Sequence, residues 1–271
     1  MHAIHRLTCG LVLAAISAAV AGESAAPEAE KVTFTTSDGV EIVGDYYAPE
    51  GKKKAPCAIC VHMYPAERSS WKPLVPDLRA RGFAVLAYDI RGAGESLLPK
   101  EKALNRLYGD RDTKLFGDAW KDAEAAAKFL AGRKECDASR IVMIGASVGC
   151  SISLDFASRD PNVVAVVCLS PGKDYMGINS TKHIAKLGKR PVLLISPEAE
   201  KASSQGLAKR HKESTVEIKP GGEDRHGTRM FDADYGPALM KQIATFAADS
   251  VAAAPEGETK PAKKAQKKPK A

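Results

Sequence analysis

The chain has 271 residues, of which 44% are hydrophobic and 27% are charged. This balance excludes a fibrous protein and a chain that is disordered throughout, and the length allows one large hydrophobic core or two smaller ones. The formal net charge of +7 is concentrated at the two ends of the chain. Arg6 contributes +1, and residues 252–271, with six lysines and two glutamates, contribute +4. Residues 22–251 therefore carry a net charge of only +2.

The first 21 residues have the features of a secretory signal peptide. Arg6 precedes an apolar stretch at 7–20, and Ala19 and Ala21 lie three and one positions before a possible cut. The stretch is shorter than the roughly 20 apolar residues of a spanning helix, which favours cleavage over a retained anchor. We therefore predict export to the periplasm or the medium, with a mature domain at 22–251.

Residues 252–271 contain no large apolar side chain, so they cannot bury enough surface to offset the entropy of ordering. The sequence predicts a disordered tail rich in lysine, alanine and proline. Such a tail can contact acidic polymers or membranes, or it can simply be solvated. The lack of interleaved aromatic residues favours the second interpretation.

Five cysteines follow the leader, an odd number spread through apolar segments, which is typical of buried thiols rather than of a disulfide framework. Cys57 and Cys60 form a CxxC inside an apparent strand. Residues three apart in a strand face opposite sides of the sheet, so a shared metal or a bridge does not suit this pair. We predict packing cysteines and no metal site.

From Lys31 onward, strand patterns alternate with helical ones. The runs 31–36 and 41–48 flank a turn at Ser37-Asp38-Gly39 and predict an antiparallel hairpin. Four later runs are almost entirely apolar, which indicates strands that are covered on both faces. They are residues 57–61, 83–88, 141–144 and 163–169, and two further strands are predicted at 191–195 and 215–219.

Helical spacing is found between and after these strands, at residues 71–81, 118–133, 147–158, 204–212 and 234–251. The alternation predicts an α/β fold with one mainly parallel sheet of about eight strands and helices on both faces. Only about 20 residues separate Ser170 from Pro191, too few for a large cap domain. The polar segment 90–117 is predicted to be a flap near the site or a surface excursion.

The sequence GASVG, residues 145–149, leaves one of the apolar strands and enters a helical segment. A serine on a sharp turn between a strand and a helix is exposed at the carboxyl edge of the sheet, where ligands bind in α/β folds. Flanking glycines are needed there because a Cβ would strike the neighbouring strand or helix. Taken alone, Ser147 could equally be a helix N-cap; its setting favours a nucleophile.

Three other segments occur in an informative order around GASVG. VHMYP at 61–65 follows the third strand, YDIRGAGES at 88–96 follows the fourth, and RHGTRMF at 225–231 follows the last. With GASVG, these segments resemble the α/β-hydrolase family, in particular its serine esterases and dienelactone hydrolases. The resemblance implies the α/β-hydrolase fold and a serine, acid and histidine triad in chain order.

In this family pattern, His226 is the base that accepts the proton of Ser147. His62 is a rival base, but we expect it to shape the loop after the third strand. The acid is less well defined, because SPEAEK stands where the family usually has an aspartate. Glu200 matches the register best, and Asp174 and Glu198 remain alternatives.

The oxyanion of an acyl-transfer reaction requires two preorganised donors. The backbone N–H of Val148, directly after the nucleophile, supplies one, and the resemblance implies that the N–H of Tyr64 supplies the other. Met63 and Tyr64 are candidate substrate-binding residues. Asp89 and Arg91 fit a structural ion pair and turn at least as well as a catalytic role, so they are left out of the catalytic set.

An activated serine with an oxyanion hole specifies transfer of an acyl group to water. We expect an exported serine hydrolase that cleaves carboxylic esters with a small or exposed acyl group, and neither a cofactor, a metal nor a nucleic-acid partner. The alternatives are a serine peptidase on the same fold and an inactive binding protein. Dienelactone hydrolases commonly have cysteine where Ser147 stands.

Overall fold

The computed structural model describes residues 28–51 and 54–254, so the predicted signal peptide and nearly all of the predicted tail lie outside the described residues. The described residues form ten strands. They are β1 Glu30–Thr35, β2 Glu41–Tyr47, β3 Ala55–Val61, β4 Ala84–Tyr88, β5 Cys136–Ala146, β6 Val163–Leu169, β7 Asp174–Tyr175, β8 Ile178–Asn179, β9 Val192–Pro197 and β10 Ser214–Lys219.

Eight of the strands form one sheet in the order β1-β2-β4-β3-β5-β6-β9-β10. Strands β1 and β2 pair antiparallel as the predicted hairpin, β2 pairs antiparallel with β4, and all other pairs are parallel. The predicted mainly parallel sheet of about eight strands is thereby confirmed. The loops after β3, β5, β6, β9 and β10 all leave the same carboxyl edge.

Helices cover both faces of the sheet. They are α1 Val75–Ala80, α2 Leu104–Gly109, α3 Thr113–Gly117, α4 Trp120–Ala131, α5 Val148–Ala157, α6 Ser180–Ile184, α7 Lys201–Ala208 and α8 Gly236–Ala253. One hydrophobic core lies between the sheet and α2 to α7, and a second lies between the opposite face and α1 with α8. Within residues 28–51 and 54–254, no helix combines the length and apolar character needed to cross a membrane.

The CxxC pair is divided between these two cores. Cys57 is buried in the core under α4 and α5, and Cys60 is buried in the core under α1 and α8. Both thiols are free, as the alternation of side chains along β3 predicts.

Two regions differ from the sequence-based expectation. Residues 170–191 carry the short hairpin β7–β8 and the five-residue helix α6, none of which was predicted, although no large cap is present there. The segment 90–117 is not an open flap, because α2 and α3 bury Leu104, Leu115 and Phe116 against the core.

Asp89 and Arg91 both form ion pairs, but not with each other. Asp89 pairs with Arg68 and accepts the backbone N–H of Glu95 at 2.9 Å. Arg91 pairs with Asp122 at 2.8 Å and with Asp38 at 2.9 Å. These pairs fix the loop that leaves β4, which supports a structural role for both residues.

Helix α5 approaches the sheet closely at Gly145 and Gly149. A Cβ on Gly149 would lie 2.2 Å from the carbonyl oxygen of Val61 and 2.7 Å from that of His62. A Cβ on Gly145 would lie 2.3 Å from the carbonyl oxygen of Gly149. Because all of these neighbours are backbone atoms, a side chain at either position forces the helix away from β3 and β5.

We predict that Gly149→Ala lowers the free energy of unfolding by at least about 2 kcal/mol, because the added methyl group overpacks rigid backbone. Gly117→Ala is the matched control, since Gly117 is exposed at the end of α3 and has nothing within 4 Å of its Cβ position. The control should be neutral or more stable by up to about 1 kcal/mol. Urea denaturation followed by circular dichroism measures both, and equal stability of the two variants would contradict the close approach.

Candidate active site

Ser147 lies on the turn that joins β5 to α5, and its backbone has φ 52° and ψ −120°. A positive φ is unfavourable for a residue with a side chain, and it persists where the surroundings hold it. Here the packing at Gly145 and Gly149 and the hydrogen bond from the Ser147 N–H to the Leu169 carbonyl, at 2.8 Å, hold the turn. The residue is 6% exposed at the carboxyl edge of the sheet.

Val148 is the first residue of α5. The first N–H groups of a helix have no partner within the helix, and the positive end of the helix dipole lies at the same point. The backbone N–H next to Ser147 is therefore available to a negative oxygen atom.

His62 orients the peptide unit that follows it. Its Nε2 accepts the N–H of Ile90 at 3.0 Å, so Nδ1 carries the proton and donates it to the Met63 carbonyl at 2.8 Å. Because a trans peptide points its N–H opposite to its C=O, the N–H of Tyr64 points away from the imidazole. Burial of the ring lowers the pKa of His62, which keeps it neutral.

This arrangement decides between the two histidines considered as bases. Both ring nitrogens of His62 are occupied by backbone groups, and the side chain is fully buried. His62 therefore shapes the loop after β3 and has no free lone pair for a proton from Ser147.

Met63 and Tyr64 have different environments. The Met63 side chain is buried beneath the loop that carries His226, in contact with Gly227 and Thr228, so it packs the loop and does not line an open surface. Tyr64 is partly exposed. Its ring lies 4.9 Å from the ring of Tyr108, centroid to centroid, and the guanidinium of Arg111 stacks on it at 4.8 Å.

His226 and Glu200 form a direct hydrogen bond. The distance from Nδ1 of His226 to Oε1 of Glu200 is 2.6 Å, and the side chains are 23% and 19% exposed. Burial would raise the pKa of Glu200, but the contacts with His226 and Ser170 outweigh it, so that the pKa lies below its usual value. The carboxylate thus remains ionised and orients the imidazole with Nε2 free.

The two other candidate acids lie elsewhere. Asp174 is exposed on β7, and Glu198 is exposed and pairs with Lys201 at 3.7 Å. Neither forms a hydrogen bond with His226 in the part of the chain that the structure describes. The structure therefore brings Glu200, and neither alternative, to the histidine.

The segments of Ser147 and His226 meet at the carboxyl edge. Gly227 follows His226, and a Cβ on it would lie 3.4 Å from the Cβ of Ala146, the residue before the serine. The N–H of Gly227 donates to Oγ of Ser170 at 2.9 Å, which ties the histidine loop to the end of β6. Among the described residues no hydrogen bond joins Ser147 directly to His226, a contact that in free enzymes often forms only with substrate.

Two residues at this edge were not singled out from the sequence. Ser170 is buried, has φ 54°, and contacts both the histidine loop and the Glu200 carboxylate. The ring of Tyr175 lies nearly perpendicular to that of His226, with 6.5 Å between ring centroids. The position of Ser170 directly after β6 could have indicated from the sequence that it lies at the site, whereas nothing in the local sequence indicates this for Tyr175.

Within the described residues, no group of three or more His, Cys, Asp or Glu side chains could hold a metal ion.

The sequence is similar to two groups of bacterial proteins. YfhR of Escherichia coli (strain K12) is 27% identical over 232 residues, covering 73% of this chain and 76% of YfhR. An uncharacterized protein of Mycobacterium tuberculosis (strain ATCC 25618 / H37Rv) is 28% identical over 149 residues, covering 55% of this chain. The chain spans about half of that relative, 47% of its length.

Solved structures share the fold at low sequence identity. A dienelactone hydrolase from Anabaena variabilis superposes with a TM-score of 0.63 and 19% identity, over 83% of this chain and 96% of that one. An esterase from Pyrococcus furiosus superposes with a TM-score of 0.62 and 18% identity, over 81% of this chain and 89% of that one. These similarities confirm the α/β-hydrolase fold.

The acetyl xylan esterase (AXE1) family matches residues 19–177, more than half of the chain. The matched region contains strands β1 to β7 and Ser147, and it ends before Glu200 and His226. With its eight-stranded sheet and its strained serine turn, the chain belongs to the acetyl xylan esterase family of α/β hydrolases.

Proposed function

We propose that the protein is a serine esterase that removes a small acyl group, with acetyl as the first choice, through a covalent acyl-enzyme. The observation that carries the proposal is the 2.6 Å hydrogen bond between His226 and Glu200 at the same sheet edge as the strained Ser147. Membership in an esterase family supports the reaction class.

In the acylation step, Ser147 Oγ attacks the ester carbonyl carbon while Nε2 of His226 takes the hydroxyl proton. Glu200 accepts the Nδ1–H of His226 and stabilises the imidazolium that forms. The backbone N–H groups of Val148 and Tyr64 donate to the oxygen that becomes negative. Collapse of this intermediate breaks the bond to the alcohol oxygen, which leaves with the proton from His226.

Deacylation repeats the same steps with water as the nucleophile. His226 takes a proton from the water as its oxygen attacks the acyl carbon, and then returns the proton to Ser147 Oγ as the acid leaves. Ser147 and His226 return to their starting protonation states, so the proposed reaction consumes only the ester and water.

The rim of the site supports a small acyl group. Helices α2 and α3 stack Tyr108 and Phe116 beside Tyr64, and the two rings are 5.5 Å apart. The hairpin β7–β8 meets α3, since a Cβ on Gly177 would lie 3.1 Å from the Cβ of Thr113. These contacts join an aromatic group and the hairpin along one side of the sheet edge, and we infer that this rim limits the length of the acyl chain.

Export is the second part of the proposal. It is supported by residues 1–21 of the sequence, with a single arginine before an apolar stretch and with Ala19 and Ala21 three and one positions before the cut. Cell fractionation and sequencing of the recovered amino terminus test it, and protein that stays in the cytoplasm with residue 1 intact would overturn it.

Hydrolysis of p-nitrophenyl acetate by the purified protein tests the esterase proposal. The wild-type protein should release p-nitrophenol, and Ser147→Ala should lower kcat by at least about ten-thousandfold, because both steps pass through this oxygen. Retention of full activity in Ser147→Ala would contradict the mechanism. A folded wild-type protein without activity would support the inactive binding protein.

The acid is tested by a matched pair of isosteric variants. We expect Glu200→Gln to lower kcat by at least about a hundredfold, because the amide does not stabilise the imidazolium, whereas Asp174→Asn stays within about twofold of wild type. Both are measured with the same ester and checked by thermal melting. The reverse order of losses would assign the acid to β7.

Acyl length provides a further test with the leaving group held constant. We predict that kcat/KM for p-nitrophenyl acetate exceeds that for p-nitrophenyl octanoate by at least about tenfold, because the aromatic rim excludes the longer chain. Equal or higher specificity for the octanoate would contradict a small acyl site.

A further inference from the structure

Tyr175 reaches the site on a hairpin whose geometry is fixed by its turn. Tyr175 pairs with Ile178, so only Met176 and Gly177 form the connection between β7 and β8. Both have positive φ, 52° and 81°, as the favoured two-residue hairpin turn requires. Ile178 is buried in the core and holds the hairpin against the fold.

The ring of Tyr175 is held on two sides. It lies directly over Gly172, where a Cβ would approach its Cε2 to 2.5 Å, and it meets the imidazole of His226 edge to face, with an interplanar angle of 88°. Its hydroxyl donates to the Ser170 carbonyl at 3.3 Å, a long hydrogen bond that a better acceptor can replace.

The hydroxyl is also a neighbour of the nucleophile. Burial raises the pKa of Tyr175 to about 12, even though the nearby Ser147 hydroxyl acts in the opposite direction. The phenol therefore keeps its proton at neutral pH and serves as a hydrogen-bond donor, not as a base.

The two sides of Ser147 differ in what they offer a substrate. Strand β5 lies between β3 and β6 in the sheet. The N–H of Tyr64 is on the β3 side, whereas Tyr175 is on the β6 side together with His226. In the tetrahedral intermediate the carbonyl oxygen faces the N–H donors, so the alcohol oxygen faces His226 and the Tyr175 hydroxyl.

We propose that Tyr175 is a further catalytic residue, whose hydroxyl donates a hydrogen bond to the alcohol oxygen of the ester as that oxygen leaves. This role rests on the serine esterase mechanism proposed above. The bond between the acyl carbon and the alcohol oxygen breaks, His226 transfers its proton to that oxygen, and Tyr175 retains its own. The role favours esters of aliphatic alcohols as substrates, because their leaving oxygen has the greater need of a donor.

The reason is the charge on the leaving oxygen. An aliphatic alkoxide is a strong base, so each hydrogen-bond donor that faces it stabilises the transition state. In p-nitrophenolate the negative charge is delocalised over the ring and the nitro group, so a donor adds less. A donor at this position therefore accelerates the cleavage of alkyl esters and contributes little to the cleavage of p-nitrophenyl esters.

The test compares two acetate esters, ethyl acetate and p-nitrophenyl acetate, which form the same acetyl-enzyme. For Tyr175→Phe we expect kcat/KM for ethyl acetate to fall about tenfold or more, while kcat/KM for p-nitrophenyl acetate stays within about twofold. A merely structural role for Tyr175 would lower both values equally. An equal loss on the two esters, or no loss on either, would overturn the proposal.

Two other variants keep the result interpretable. Gly172→Ala retains the phenol but pushes its ring aside, so it should lower the ethyl acetate value selectively as well. Tyr235→Phe is the matched control, since within the described part of the chain its hydroxyl is buried without a hydrogen-bond partner, and the variant should leave the ratio of the two values unchanged. A wild-type protein that hydrolyses neither ester would overturn the esterase function itself, whereas an active wild type with an unchanged ratio in Tyr175→Phe would overturn only the role of Tyr175.

Discussion

The contact between helix α5 and strand β3 at Gly149 is the constraint on which the rest of the site depends. The Cα of Gly149 lies against the carbonyl oxygens of Val61 and His62, so the helix that follows Ser147 rests on the residues that lead into the loop of Tyr64. The turn of Ser147 and the loop of Tyr64 are therefore positioned by one backbone contact. A shift of either would move the N–H groups of Val148 and Tyr64 apart.

The histidine and the carboxylate that we propose as base and acid are positioned by a different set of interactions. His226 lies on a loop after the last strand, where few backbone pairs are available, and side chains supply the anchoring. Ser170 accepts the N–H of Gly227, Met63 packs beneath the same loop, and Glu200 binds the imidazole. The sheet and α5 thus position Ser147, and the loop of His226 is attached to them by side-chain contacts.

The strands could be predicted from the sequence because buried parallel strands require uninterrupted apolar runs, as in Val163–Leu169. The serine turn could be predicted because its glycines are a steric necessity. The hairpin β7–β8 could not, since each strand has two residues and Met176 adopts a positive φ that its residue type does not favour. The partners of Asp89 and Arg91 depend on Arg68 and Asp122, which only the fold brings near.

The central claim is that Ser147 is activated by His226 in the folded protein, and labelling with a fluorophosphonate tests it most directly. Mass spectrometry of the folded protein should locate a single phosphonyl adduct on Ser147, and the adduct should be absent after unfolding and strongly reduced in His226→Ala. A folded protein that forms no adduct, or one in which His226→Ala reacts as fast as wild type, would contradict the account.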